Sequence, residues 1–159
     1  MNLARQYGRS KSGTPLIDLK PSHSSQTVNT IAILSIEGVQ APYMYTCTLT
    51  ASVFVDYLKV YLIPLLKNNE TLIMDNHRVH HAKIVKQFFE EQGINVLYLP
   101  AYSPELNPIE EAFSKVKNYI RKQRAWTLTT LKPVIKNAFD TITKTDAKNY
   151  FNHANQVIV

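Results

Sequence analysis

Two acidic residues stand where carboxylates can do chemistry. Asp75 directly follows Thr71-Leu72-Ile73-Met74, a short apolar run of the buried-strand type. In open α/β sheets, ligands collect beyond the carboxyl ends of the strands. Asp75 equally suits a turn residue or a helix N-cap. Glu110 lies in Ser103-Pro104-Glu105-Leu106-Asn107-Pro108-Ile109-Glu110-Glu111, which reads as the opening of a helix. Asn107 fits the cap and Pro108 the first helical position. Glu110 then falls third, where a capping-box glutamate reaches back to the cap. Leu106, Ile109, Phe113, Val116 and Ile120 form the apolar stripe of that helix. At ~100° per residue, Glu110 lies about 80° from the stripe's centre and Glu111 nearly opposite it. Glu110 can therefore lean over the end of a sheet, and Glu111 is expected to point to water. Carboxylates that converge at a sheet end suit Mg²⁺ or Mn²⁺, which prefer hard oxygen ligands. Two such ions about 3.5 to 4 Å apart can activate a nucleophile and stabilise the leaving oxygen of a phosphodiester.

The elements that must position these residues follow from periodicity and punctuation. Residues 1–26 are rich in Gly, Pro and Ser and read as loop, with at most a short strand at 16–19. Residues 27–36 and 39–49 are β-branched and aromatic, separated by Glu37-Gly38, and predict a hairpin. Thr50 is placed to cap a helix over 51–66 that Pro64 ends or kinks. A strand at 71–74, an amphipathic helix at 81–92 closed by Gly93, and a strand at 95–99 make a βαβ unit. A Pro-rich loop leads to a helix over 108–123, and helices at 127–139 and 143–153 close the chain. The order predicts one α/β domain over 1–159, with a mixed sheet flanked by helices. Its core is expected over 27–124 and C-terminal helices over 125–159.

Composition narrows the function classes. The chain has 159 residues, 45% hydrophobic and 19% charged, which is globular rather than disordered. A net charge of +6 favours a polyanionic partner over a basic one. The lone Cys47 cannot form an internal disulfide and is expected as a buried thiol in a reducing compartment. No apolar run reaches the ~18 to 20 residues of a membrane span. The expectation is a cytoplasmic, nucleoid-associated protein with no membrane partner. Four glycines and no Gly-rich loop exclude a phosphate-cradling P-loop.

The residues around both carboxylates resemble a known family. Leu72-Ile73-Met74-Asp75-Asn76-His77-Arg78-Val79-His80 resembles the Asp-Asn-x-x-x-His block of DDE transposases in the mariner-like superfamily, most closely the bacterial insertion-sequence branch. Ser103-Pro104-Glu105-Leu106-Asn107-Pro108-Ile109-Glu110 resembles the same family's Ser-Pro-Asp-Leu-Asn-Pro-Ile-Glu block, with Glu105 a conservative departure. Thirty-four residues separate Asp75 from Glu110, the family's interval between its second and third metal ligands. Arg5-Gln6-Tyr7-Gly8-Arg9-Ser10 resembles its Arg-Tyr-Gly block, and Ile33-Leu34-Ser35-Ile36-Glu37-Gly38 the strand-turn that follows. The match covers roughly Arg5 to Arg124.

The resemblance implies an RNase H-like fold and metal-dependent cleavage and strand transfer at DNA ends, that is, DNA transposition and integration. It implies Asp75 and Glu110 as catalytic ligands of two Mg²⁺ or Mn²⁺ ions. His80 matches the block histidine, with packing at the helix start as its alternative role. Asn76 is placed to orient Asp75. Arg5, Arg9, Lys115, Lys117, Arg121, Lys122 and Arg124 are the candidate contacts to DNA phosphates, with a solvated helix face as the alternative for the helix cluster. Tyr98, Tyr102 and Trp126 could stack on bases, with loop or core packing as the other role. Element ends and target DNA are the implied partners, with a homo-oligomer or full-length transposase as possible protein partners.

The family's first aspartate, on its first and central strand, has no counterpart here. Asp18, between Pro15 and Pro21, and Asp56, within a helix, do not match its pattern. The chain is therefore expected to be an N-terminally truncated or frameshifted part of the catalytic domain, with an incomplete metal site and a gap at the sheet's middle. The alternative is a non-catalytic fragment that binds DNA or transposase, or a decayed product.

Overall fold

The computed structural model describes residues 9–15, 28–67, 69–125 and 127–157. Arg5, Trp126 and the short apolar run at 16–19 lie outside them. Strands β1 (Asn29–Ser35) and β2 (Gly38–Tyr45) form an antiparallel hairpin, turned at Ile36-Glu37. Asn29 pairs with Tyr45 and Ser35 with Gly38. The register slips between Ile31 and Ile33, where Ala41 and Pro42 of β2 face a single residue, Ala32. This is a β-bulge, and it puts Pro42, which has no N–H, where a ladder bond is missing anyway. Ala41 takes φ 48, and its carbonyl accepts a 2.9 Å hydrogen bond from the Tyr57 hydroxyl.

Thr50 caps α1 (Ala51–Tyr57), its hydroxyl accepting from Val53 N–H at 3.3 Å. The helix runs on as a π turn through Leu58–Leu62 and ends at Pro64. Strands β3 (Thr71–Met74) and β4 (Asn95–Tyr98) pair in parallel, joined by α2 (Lys83–Gln92). Gly93 ends α2 at φ 63, the left-handed conformation a side chain resists. A 3₁₀ turn at Pro104–Leu106 leads into α3 (Pro108–Gln123), followed by α4 (Leu128–Asp140) and α5 (Lys144–Val157). Thr127 and Thr130 close a capping box on α4, which carries Pro133 within its length.

The hairpin is covered on both faces. Ile31, Ile33 and Tyr43 pack on a cluster built from α1, its π turn and α2, including Phe54, Leu58, Leu62, Val85 and Phe88. Ala32, Leu34 and Val39 pack on the second cluster, from α3 and α4, including Ala112, Val116, Ile120, Ile135 and Phe139. Leu72, Met74, Val96 and Tyr98 turn to the first cluster, whereas Ile73 and Leu97 on the other face stay partly exposed.

Among the described residues the strands form two two-stranded sheets, the antiparallel β1-β2 and the parallel β3-β4, in a mixed α/β fold flanked by helices. No strand lies between β1 and β3 among these residues. One expectation changes. Cys47 is exposed rather than buried, because β2 ends at Tyr45 and the thiol falls on the bend before α1.

Candidate active site

Asp75 leaves β3 at its carboxyl end, half exposed. The parallel ladder stops one residue earlier, at Met74 paired with Tyr98. Asp75 Oδ1 accepts from His77 N–H at 3.2 Å and lies 2.9 Å from His80 Nδ1. The same imidazole nitrogen sits 3.2 Å from the Asp75 carbonyl oxygen. His80 is held in place by Phe54, ring centroids 4.7 Å apart, and by the Tyr98 hydroxyl, which donates to the His80 carbonyl at 3.1 Å. Burial pushes the His80 pKa down, against the opposing pull of its contacts with Asp75. Asp75 Oδ1 is thus held by these contacts, and the residue lines the cleft.

Asn76 reaches elsewhere than the sequence led one to expect. Its side-chain oxygen meets His81 Nε2, and the His81 ring stacks on Tyr98 at 4.4 Å. Among the described residues the Asp75 carboxylate is met by the His77 N–H and the His80 ring. His77 is the residue that sequence reasoning passed over. Nothing in its type or spacing separated it from its neighbours, and its part is played by a backbone N–H.

Glu110 comes from the first turn of α3 and lines the same cleft as Asp75. Asn107 is the buried cap residue of that helix, but its side chain makes no capping bond. Glu110 N–H instead bonds the Asn107 carbonyl at 3.0 Å. Among the described residues the Glu110 carboxylate is not spent on the helix end, and it stays available to the cleft. Glu111 does not simply point to water. It pairs with His153 Nδ1 of α5 at 2.6 Å, a contact 42 residues away in sequence.

Two cavities of about 350 Å³ meet at this pair of carboxylates. One is bounded by Asp75, Asn76, His77, Pro100, Tyr102 and Glu110. Tyr102, whose backbone takes φ 61, is fully exposed on its lip. The other cavity runs back between β1 and β3.

The basic residues are differently placed. Arg9 is exposed in the first described loop. On α3, Lys122 is exposed, Lys117 half-buried, and Arg121 leans on Asn118 at 3.2 Å with its Nε buried and unbonded. Arg124 ends the helix at φ 51. Lys115 is engaged within the protein. Its ammonium lies 2.8 Å from Asp146 Oδ2 and donates to the Thr141 carbonyl at 2.9 Å. Among the described residues no group of three or more His, Cys, Asp or Glu could hold a metal ion. No helix among them is long and apolar enough to cross a membrane.

The chain combines a layered α/β fold with a strand-end aspartate and a helix-start glutamate that open on one cleft. It belongs to the DDE superfamily endonucleases, which match it over residues 2–132. The Tcb2 transposase of Caenorhabditis briggsae is 37% identical over 51 residues, 32% of this chain and 19% of that protein. The fold matches the pre-cleavage Mos1 transpososome with a TM-score of 0.76 at 18% identity, over 96% of this chain and 47% of that one. It matches the Mos1 transposase catalytic domain solved with raltegravir and Mg with a TM-score of 0.63 at 18% identity, over 82% and 75%. The chain thus spans about a fifth of the Tcb2 protein and about half of the Mos1 chain in the transpososome. The RNase H-like expectation holds at the level of fold.

Proposed function

We propose that this chain is part of a transposase catalytic domain that acts on the ends of a mobile DNA element, of the bacterial insertion-sequence branch. The observation that carries the proposal is the convergence of Asp75 and Glu110 on one open cleft at the end of β3. The two motif blocks and the family match support it.

The residues fit a divalent cation. Oδ2 of Asp75 and the carboxylate of Glu110 are hard oxygen donors, not consumed by a helix cap. Mg²⁺ is commonly held by one or two carboxylates, with water and substrate phosphate completing its shell. When bound, such an ion supplies charge stabilisation at the phosphodiester and a lowered pKa for an attacking water. Asp75 and Glu110 would hold it. His77 and His80 keep Asp75 in one rotamer, so the site is organised before DNA arrives. Arg9, Lys117, Arg121, Lys122 and Arg124 would supply phosphate contacts whose strength falls with salt.

The lack of a third acidic or imidazole ligand among the described residues favours a second reading, a fragment that binds DNA or transposase without cutting. One assay separates the two. Labelled duplexes taken from the genomic flanks of the coding region are incubated with the protein and Mn²⁺, with and without Asp75→Asn. Cleavage that the substitution abolishes establishes the enzyme. Salt-sensitive binding without cleavage establishes the fragment.

A further inference from the structure

Of the three aromatic residues whose types suit a nucleobase, the structure sets one apart. Tyr98 is committed to the fold, since its hydroxyl donates to the His80 carbonyl and its ring stacks on His81. Trp126 lies outside the described residues. Tyr102 stands fully exposed on the lip of the cavity that Asp75 and Glu110 share.

A single exposed apolar side chain is ordinary. The backbone beneath this one is not. Its φ of 61 is the left-handed conformation, which a β-carbon resists and glycine takes freely. Such strain persists only where the surroundings over-determine it, and it gathers at functional sites. Leu99 N–H bonds the Met74 carbonyl at 2.9 Å, so the loop leaves directly from the β3-β4 ladder. Pro100 and Pro104 fix φ on either side, and the 3₁₀ turn at Pro104–Leu106 follows. A stiff loop thus presents a tyrosine where glycine fits the backbone better.

What the ring can take follows from its neighbours. The carboxylate cleft suits a cation and a DNA phosphate, and this inference rests on that reading. A strand with its phosphate at the carboxylates carries the adjoining base toward the rim of the same cavity, which holds about 350 Å³. A base inside a duplex has both faces covered by its neighbours and offers none to a tyrosine. An unpaired base at a strand end does offer a face, and aromatic stacking accepts any base because each has a π-face. We propose that Tyr102 is the stacking platform for an unpaired nucleobase at the DNA end whose phosphate enters the carboxylate cleft. The protein then favours frayed or overhanging ends over fully paired ones, without reading their sequence.

The test uses the whole chain without metal, so that binding is read without cleavage. Two fluorescein-labelled duplexes of one sequence are compared, one blunt and one with a short 3′ overhang ending in 2-aminopurine. Anisotropy reads affinity, and 2-aminopurine fluorescence, which stacking quenches, reads the base. The overhang should bind more tightly than the blunt end by about fivefold or more, the least that one base–aromatic stack supplies, and its fluorescence should fall on binding. Tyr102→Ala should abolish the preference and the quenching while the blunt duplex binds as before. Tyr102→Phe should keep both. Tyr102→Gly should lose the preference without lowering Tm, because glycine relieves the φ of 61. A ring held only for loop packing would give the reverse, a lower Tm with the preference intact. The proposal is overturned by an overhang bound no more tightly than the blunt end, by quenching that survives Tyr102→Ala, or by a Tyr102→Ala loss that falls equally on both duplexes. Salt-sensitive binding to both duplexes in those cases leaves the DNA reading standing without Tyr102. Binding to neither duplex overturns both.

Discussion

Asp146 is the best place to measure how α5 is fastened to the helix that presents Glu110. Its Oδ2 accepts from Thr143 N–H at 2.8 Å and from the Thr143 hydroxyl at 2.7 Å, which caps α5. The same oxygen takes Lys115 Nζ of α3 at 2.8 Å. Asp146→Ala removes the Asp146 half of a capping box with Thr143, worth about 1 kcal/mol. It also removes a half-buried ion pair, worth about 1 kcal/mol once solvent screening is allowed for. The expected loss is about 2 kcal/mol, which lowers Tm by roughly 4 to 8 °C in a chain of this size. The hydrogen bond from Lys115, then those from Thr143, hold the Asp146 pKa down to about 2. A depressed carboxylate stabilises the fold above its unfolded pKa, near 3.8, and loses that contribution as pH falls through the folded value. The gap between wild type and variant should therefore be full at pH 7, about half as large at pH 3, and smaller still at pH 2. Urea unfolding at these pH values measures it. A gap under about 0.5 kcal/mol at pH 7, or one that does not shrink in acid, refutes the reasoning.

Three further outcomes follow from the geometry. Tyr57→Phe should cost about 1 to 2 kcal/mol by leaving the Ala41 carbonyl without its donor, and amide exchange should speed up around the bulge, at Gln40, Ala41 and Tyr43. Gly93→Ala should cost roughly 1 kcal/mol from its φ of 63 alone, since nothing lies within 4 Å of the added carbon, and thermal unfolding will show whether it does. Replacing Lys117, Arg121 and Lys122 by Gln should flatten the salt dependence of DNA affinity by up to about 0.9 per lost phosphate contact. Lys115→Gln should instead lower stability, because its ammonium is already held by Asp146.

What was legible in the sequence was local. Thr50 as a cap, Gly93 as a left-handed stop, Pro108 as a first helical residue, and Asp75 just past β3 all depend on neighbours within a few positions. The span of α3 was readable for the same reason. The features that escaped join distant residues or need a register. The bulge at Ala41-Pro42 depends on which residues of β1 sit opposite. The π turn at Leu58–Leu62 follows helix formers with no distinguishing spacing. Glu111 finds His153, and Lys115 finds Asp146, only once α5 has docked. The capping glutamate and the outward-facing Glu111 were sound readings of an isolated helix, and packing replaced both. The carboxylate pair was legible as types at an interval, whereas the hold of His77 and His80 on Asp75 emerged from the turn's conformation.

The division of the strands into two pairs bears on how this chain reaches its folded state. One pair closes within residues 29–45 and the other within 71–98, so neither needs a ladder formed across the intervening helix. Closing such short loops costs little entropy, and low contact order goes with fast folding. Hairpin and βαβ unit can each nucleate alone, joined afterwards by Phe54, Leu58 and Leu62, which touch both in one cluster. Among the described residues the two halves are coupled through those side chains, and Leu62→Ala should loosen the coupling of their unfolding before it unfolds either one.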